Sequence, residues 1–175
     1  MNDDQIKQLV ADNHHIGAHT VSHPHLPVLS EVDLDRELGE SQKYLQNKFG
    51  VEAKDFASPY GDVNEQVMRK VIEKYRSHRN VLAGYNYQDT FDIYGVKVQN
   101  ILVTTTAEEV KAWIKNAQEN KSWLVLVYHQ IDDKGDTYSA TPKSFEGQID
   151  AIAKSKIDVV SFDKALVELL PQIGK

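Results

Sequence analysis

The chain holds 175 residues, 20 Lys+Arg against 26 Asp+Glu, no cysteine, 41% hydrophobic and 26% charged residues, the balance of a globular domain with one sizeable core. A net charge of −6 argues against nucleic acid or an anionic membrane as the main partner. The lack of cysteine excludes a disulfide scaffold, a thiol nucleophile and a thiolate metal site; no apolar run reaches the roughly 18 residues of a membrane span, and MNDDQIKQLVADN has no signal-peptide pattern.

In chain order, residues 3–13 predict a helix with Ile6, Leu9 and Val10 on one face, followed by a strand end at Ile16–His19. Ser30 is placed to cap a long helix to about Lys48, with Leu34, Leu38 and Leu45 buried and Gly50 as its stop. A short strand at Asp55–Ser58 and a helix at Val63–Lys74, carrying Val67, Val71 and Ile72, come next. Strands are expected at Tyr75–His78 and Val96–Val103, separated by the long aromatic and polar loop Gly84–Tyr94. Thr106 with Glu109 is a capping-box signature for a helix bearing Val110, Trp113 and Ile114. The run Trp123–His129 suits a strand buried on both faces. Thr141-Pro142 opens a helix through Phe145, Ile149 and Ile152; Ile157–Phe162 is expected as a last strand, before a closing helix with Leu166, Leu169 and Leu170. Strands alternating with helices predict a parallel α/β fold. About six strands are too few for a closed eight-stranded barrel.

Five of the seven histidines lie between positions 14 and 25. His19 and His23, four residues apart, can converge on one turn, and neutral imidazole is a preferred ligand of zinc and other divalent transition metals. An isolated pair at this spacing is also common as ordinary surface or core histidines, and spacing alone does not separate the two. His14, His15 and His25 read individually as exposed residues or as neighbours of a site.

The words around the pair go further. IGAHTVSHPHLPVLS resembles the histidine motif of the polysaccharide deacetylases, the NodB-homology or carbohydrate esterase family 4 proteins. FASPYGDVN and LVLVYHQI resemble two later motifs of that family, in the right order. The resemblance implies an α/β fold, an incomplete (β/α) barrel of the NodB type with its first strands missing, and one N-terminally truncated domain over residues 1–175. It implies that His19 and His23 ligate zinc or another divalent transition metal. Tyr60 is then the oxyanion donor through its backbone N–H, Pro59 and Leu126 line the substrate groove and acetyl pocket, and His129 is the general acid. The family's Thr-Phe-Asp-Asp-Gly string, which supplies the catalytic base and the third metal ligand, has no match here; Asp3-Asp4 lacks its flanking residues, so the third ligand is not identified. Ala57 stands where many relatives carry an arginine, and Gln130 where many carry an aspartate. Arg76 or Arg79 is a candidate to approach the site from the next strand, and is equally a surface charge. Asp132 and Asp133 read first as loop residues. Tyr85, Tyr87 and Tyr94 read as packing residues or as stackers on sugar rings.

The resemblance therefore implies a metal-dependent hydrolase that removes acetyl groups from an N-acetylglucosamine polysaccharide such as peptidoglycan, chitin or a biofilm polymer, in the cell envelope or outside the cell. Low activity is expected of this chain for want of the Asp pair. The alternative is a non-catalytic glycan-binding or interaction module derived from a deacetylase. A glycosidase, which needs two carboxylates about 5–10 Å apart, has no such pair to point to. Exposed sheet edges predict association with another copy.

Overall fold

A computed structural model describes residues 1–172. The helices are α1 (Asp3–Ala11), α2 (Glu31–Phe49), α3 (Glu65–Lys74), α4 (Ala107–Glu119), α5 (Pro142–Ser155) and α6 (Phe162–Leu169). The strands are β1 (Asp55–Ala57), β2 (Ser77–Ala83), β3 (Val96–Asn100), β4 (Leu126–Val127), β5 (Gln130–Ile131) and β6 (Ser139–Ala140). The chain divides into two compact units, Met1–Asn80 with Asp92–Val96 and Ser161–Leu170, and a second consisting chiefly of Val81–Phe91 and Lys97–Val160.

In the first unit β1 pairs in parallel with the start of β2, with Asp55 opposite Ser77 and Ala57 opposite Arg79. The intervening α3 makes this a β-α-β crossover, the connection that a parallel pair requires. Ala18 joins β1 on its other side through a parallel bridge to Phe56. The backbones approach so closely there that a Cβ on Gly17 would stand 3.0 Å from the Asp55 carbonyl oxygen. Leu34 and Leu38 of α2, Val67 and Val71 of α3, and Phe56, Tyr75 and Leu26 form the apolar core of this unit. Gln42 bridges two chain segments beneath it, donating to the Ala53 and Lys74 carbonyls.

The second unit is built the same way. β3 pairs in parallel with β4 across α4, and Val110 and Ile114 of α4 pack with Ile101 and Ala140, flanked by Trp113, Tyr128, Phe145 and Ile152. β5 and β6 form a short parallel pair.

Several expectations are corrected. Trp123–His129 is not doubly buried: residues 123–128 are half-buried, His129 is exposed, and only Leu126–Val127 is strand. An apolar run records hydrophobicity, while burial depends on what the fold sets against each face. No strand forms at Ile157–Phe162; Ser161 caps α6 through the Lys164 amide, and Val159 is exposed. The strand expected at Tyr75–His78 starts at Ser77, because Tyr75 still bonds back to the Val71 carbonyl as the end of α3. Ile16–His19 contributes one bridge rather than a strand. Ile72 and Ile149, on the helices expected to carry them, are exposed.

Candidate active site

The first unit brings His19, His23 and Tyr60 together. Ala18 donates to the Asp55 carbonyl and accepts from the Ala57 amide, so the chain at His19 runs beside the end of β1. His19 Nδ1 then lies 2.7 Å from the Ala57 carbonyl oxygen. A carbonyl can only accept, so Nδ1 carries the proton and the ring's lone pair is on Nε2. That outer bond is the one that metal-binding histidines ordinarily make to fix tautomer and ring orientation.

The four residues that follow form a tight turn. Thr20 (φ 66°) and His23 (φ 58°) both occupy the left-handed region, which costs a non-glycine residue energy and is rarest for a β-branched one. The His23 amide donates to Thr20 Oγ1 at 3.1 Å. The turn sets the His23 ring edge-on to His19, with centroids 4.8 Å apart. Two imidazoles at that separation are close enough to reach one ion at the usual Zn–N length of about 2 Å.

Tyr60 follows the end of β1. Pro59 is buried, Tyr60 is exposed and left-handed (φ 58°), and Gly61 (φ 71°) continues the turn, which closes through amide bonds from Gly61 to the Ser58 carbonyl and from Asp62 to the Pro59 carbonyl. The Tyr60 ring meets His23 edge-on at 4.6 Å and stacks on His25 at 4.1 Å. His25 Nδ1 is hydrogen-bonded to Asp62 Oδ2. Four rings, His19, His23, Tyr60 and His25, thus run in sequence toward one carboxylate. A cleft of about 1010 Å³ opens beside His19, its lining including Gly17, Thr20, Val21, Tyr44 and Lys48.

Beneath this surface lies a buried polar row. His78 Nδ1 donates to the Tyr94 carbonyl at 2.8 Å, so Nε2 accepts from the Ser58 hydroxyl at 2.6 Å, directly before the Pro59–Gly61 turn. Burial is the leading influence on His78 and holds its pKa below 6.5.

One further trio could hold a cation: His15, Asp55 and Asp163 offer donor atoms within 4.8 Å of one another. A cation is already there. Arg76 Nη2 lies 2.5 Å from Asp55 Oδ2 and 2.7 Å from Asp163 Oδ1, and Nε donates to Asp55 Oδ1. A divalent ion would have to displace a guanidinium from two carboxylates, so the trio is an ion-pair clamp. Among the described residues no third His, Cys, Asp or Glu donor closes on His19 and His23 to make a trio of that kind.

His129 and Leu126 belong to the second unit, where the His129 ring lies 5.0 Å from Tyr138 and Leu126 packs at the edge of the apolar cluster. Arg76 takes the charge role among its two readings and serves the clamp; Tyr94 packs on the first core, the first of its two readings, and donates to the Tyr75 carbonyl; His15 is half-buried, with Nε2 2.9 Å from Asp55 Oδ2. Asp132 accepts from the Lys134 amide within its own loop, as a loop residue does. Sequence reading missed Glu37, Asp62 and His78. The signal for Glu37 was available, because Leu34, Glu37, Leu38 and Ser41 follow the i, i+3, i+4, i+7 spacing of a buried stripe.

Residues 1–79 match the sequence model of the polysaccharide deacetylases. The chain is 39% identical over 54 residues to chitin deacetylase 1 of Cryptococcus neoformans var. grubii, covering 31% of this chain and 12% of that protein. It is 27% identical over 96 residues to a peptidoglycan-N-acetylglucosamine deacetylase of Bacillus cereus, covering 55% of this chain and 33% of that one. The chain thus spans a third or less of the length of these two relatives. In structure it resembles a family 4 acetyl xylan esterase from Clostridium thermocellum solved with a cobalt ion, with a TM-score of 0.66 and 16% identity over 95% of this chain and 70% of that one. This likeness establishes the fold, and with it the α/β class expected from the sequence.

Proposed function

The chain carries a NodB-type polysaccharide deacetylase domain, matched by the family's sequence model over residues 1–79, and from that premise we propose that it is part of a metal-dependent hydrolase that removes acetyl groups from an N-acetylglucosamine polysaccharide of the chitin or peptidoglycan kind. The observation that carries this reading is the meeting of His19, His23 and Tyr60, with the lone pair of His19 on Nε2. The two relatives that act on chitin and peptidoglycan support the substrate class.

His19 and His23 would hold zinc or another divalent transition metal. When bound, such a cation polarises the acetyl carbonyl and lowers the pKa of its water to about 7. The Pro59–Gly61 turn, exposed at Tyr60, would offer the Tyr60 N–H to the developing oxyanion, the kind of preorganised donor that typically contributes a few kcal/mol. The resemblance assigns Pro59 to the substrate groove, Leu126 to the acetyl pocket and His129 to protonation of the departing amine. We take residues 1–175 as one such domain, working in the cell envelope or outside the cell. No helix among the described residues is long and apolar enough to cross a membrane.

The test is acetate release from an acetylated chito-oligosaccharide with and without Zn²⁺. Weak, metal-dependent release, abolished in His19→Ala, is the expected result. Release that ignores metal and survives His19→Ala would overturn it. The two-histidine grouping also favours a second reading, a glycan-binding module without catalysis; sugar binding with no acetate release at any metal concentration would select it.

A further inference from the structure

Glu37 is a buried carboxylate for which the chemistry above has no use. It is 5% exposed, on the core-facing stripe of α2. Its oxygens accept three hydrogen bonds, all from the segment between His19 and His23. Oε2 takes the backbone amides of Val21 and Ser22, each at 2.9 Å, and Oε1 takes the Ser22 hydroxyl at 2.7 Å. Burial pushes the carboxyl pKa up, but these donors outweigh it and the net shift is downward. The dependence is mutual. A buried charge persists only with full hydrogen-bond satisfaction, and the loop amides supply it. The loop in turn contains two non-glycine residues, Thr20 and His23, at positive φ, a conformation that lasts only where its surroundings over-determine it.

We propose that Glu37 is a positioning residue that anchors the Thr20–His23 turn, and thereby sets how His19 and His23 together face one divalent cation. The catalytic consequence rests on the deacetylase reading; the anchoring does not. Apolar packing on this helix is the work of Leu34 and Leu38, whereas the three hydrogen bonds that Glu37 accepts all come from the turn. Outer partners of metal ligands commonly control affinity by 10–100-fold.

The experiment titrates Zn²⁺ and Co²⁺ into the full chain and into Glu37→Gln, Glu37→Ala, Ser22→Ala and Val71→Ala, by calorimetry and by the Co²⁺ absorption bands. It also records backbone NMR of residues 20–23. Glu37→Ala should weaken binding by about 10–100-fold and Glu37→Gln by about 10-fold, with altered Co²⁺ bands. Ser22→Ala removes one of the three bonds and should cost about 2–3-fold, a direct reading of one hydrogen bond of modest net worth. Val71→Ala, in the same core but off the turn, should lose stability while keeping affinity within about twofold, a result that a merely structural Glu37 would share. Folded Glu37→Gln binding Zn²⁺ like the parent would overturn the proposal. If the parent itself binds no Zn²⁺, the ligand reading of His19 and His23 fails instead. The anchor is then judged by NMR alone: unchanged Val21 and Ser22 amide shifts and unchanged Thr20 and His23 couplings in Glu37→Gln would overturn it, and their movement would support it.

Discussion

Two buried groups set how the fold responds to acid. Burial by itself would push the Asp55 carboxyl up, but hydrogen bonds from His15, Arg76 and Ser77 outweigh it and bring the pKa from 3.8 down to about 2. A carboxylate depressed in the folded state gives its full stabilisation above the unfolded value and loses it as pH falls through the folded one. Asp55 therefore contributes roughly 2 kcal/mol above pH 4 that disappears toward pH 2. His78 is depressed below 6.5, so the unfolded chain takes up a proton first and stability falls as pH drops below about 6.5. Urea midpoints measured from pH 8 to pH 2 should decline in two stages, and His78→Gln should remove the upper one. An upper stage that survives in this variant would assign it to other histidines. At this scale the sequence made His19, His23 and Tyr60 legible as candidates, because their types and order carry a motif. His78 and Asp55 were not legible: their roles come from burial, and burial is decided by neighbours far along the chain.

The elements owe their limits to local chemistry and their places to remote contacts. Ser30, Thr106 and Thr141 cap the helices expected of them, the Thr106 amide in turn donating to the Glu109 carboxylate, and Gly50 ends α2 at φ 71°. Such caps need only a few consecutive residues, so a sequence states them openly. The placement of α6 is different. Its Asp163 is tied through Arg76 to Asp55 on β1, and no periodicity links positions 55, 76 and 163. Arg76→Ala leaves the Asp55 charge with its main cation gone, and by analogy with other buried pairs should cost about 3 kcal/mol. Chemical denaturation of Arg76→Ala beside Asp163→Asn measures this. Equal, small losses in both would show that the guanidinium does not carry the buried charge. Strand ends were the least legible elements, since Ile157–Phe162 has strand composition but no ladder, and a ladder requires a partner.

For the molecule as a whole, each unit has its own apolar cluster around parallel strands. The strands are short, several only two or three residues. Ala18 closes on β1 through both its backbone groups. Sheet edges as a class favour pairing with a second chain. Sedimentation velocity at micromolar concentration should therefore show a dimer or larger species, and a clean monomer throughout the range would count against this reading.

The sequence alone determined the α/β class, the helix caps and the order of the histidine, Pro-Tyr-Gly and Tyr-His motifs, because alternating apolar periods and short-range hydrogen-bonding residues act between near neighbours. The tertiary structure decided which histidine lone pair is on Nε2, why Glu37 is charged inside the fold, and why His15, Asp55 and Asp163 gather around an arginine. Those outcomes depend on desolvation and on partners as many as 87 positions apart, which no local pattern encodes.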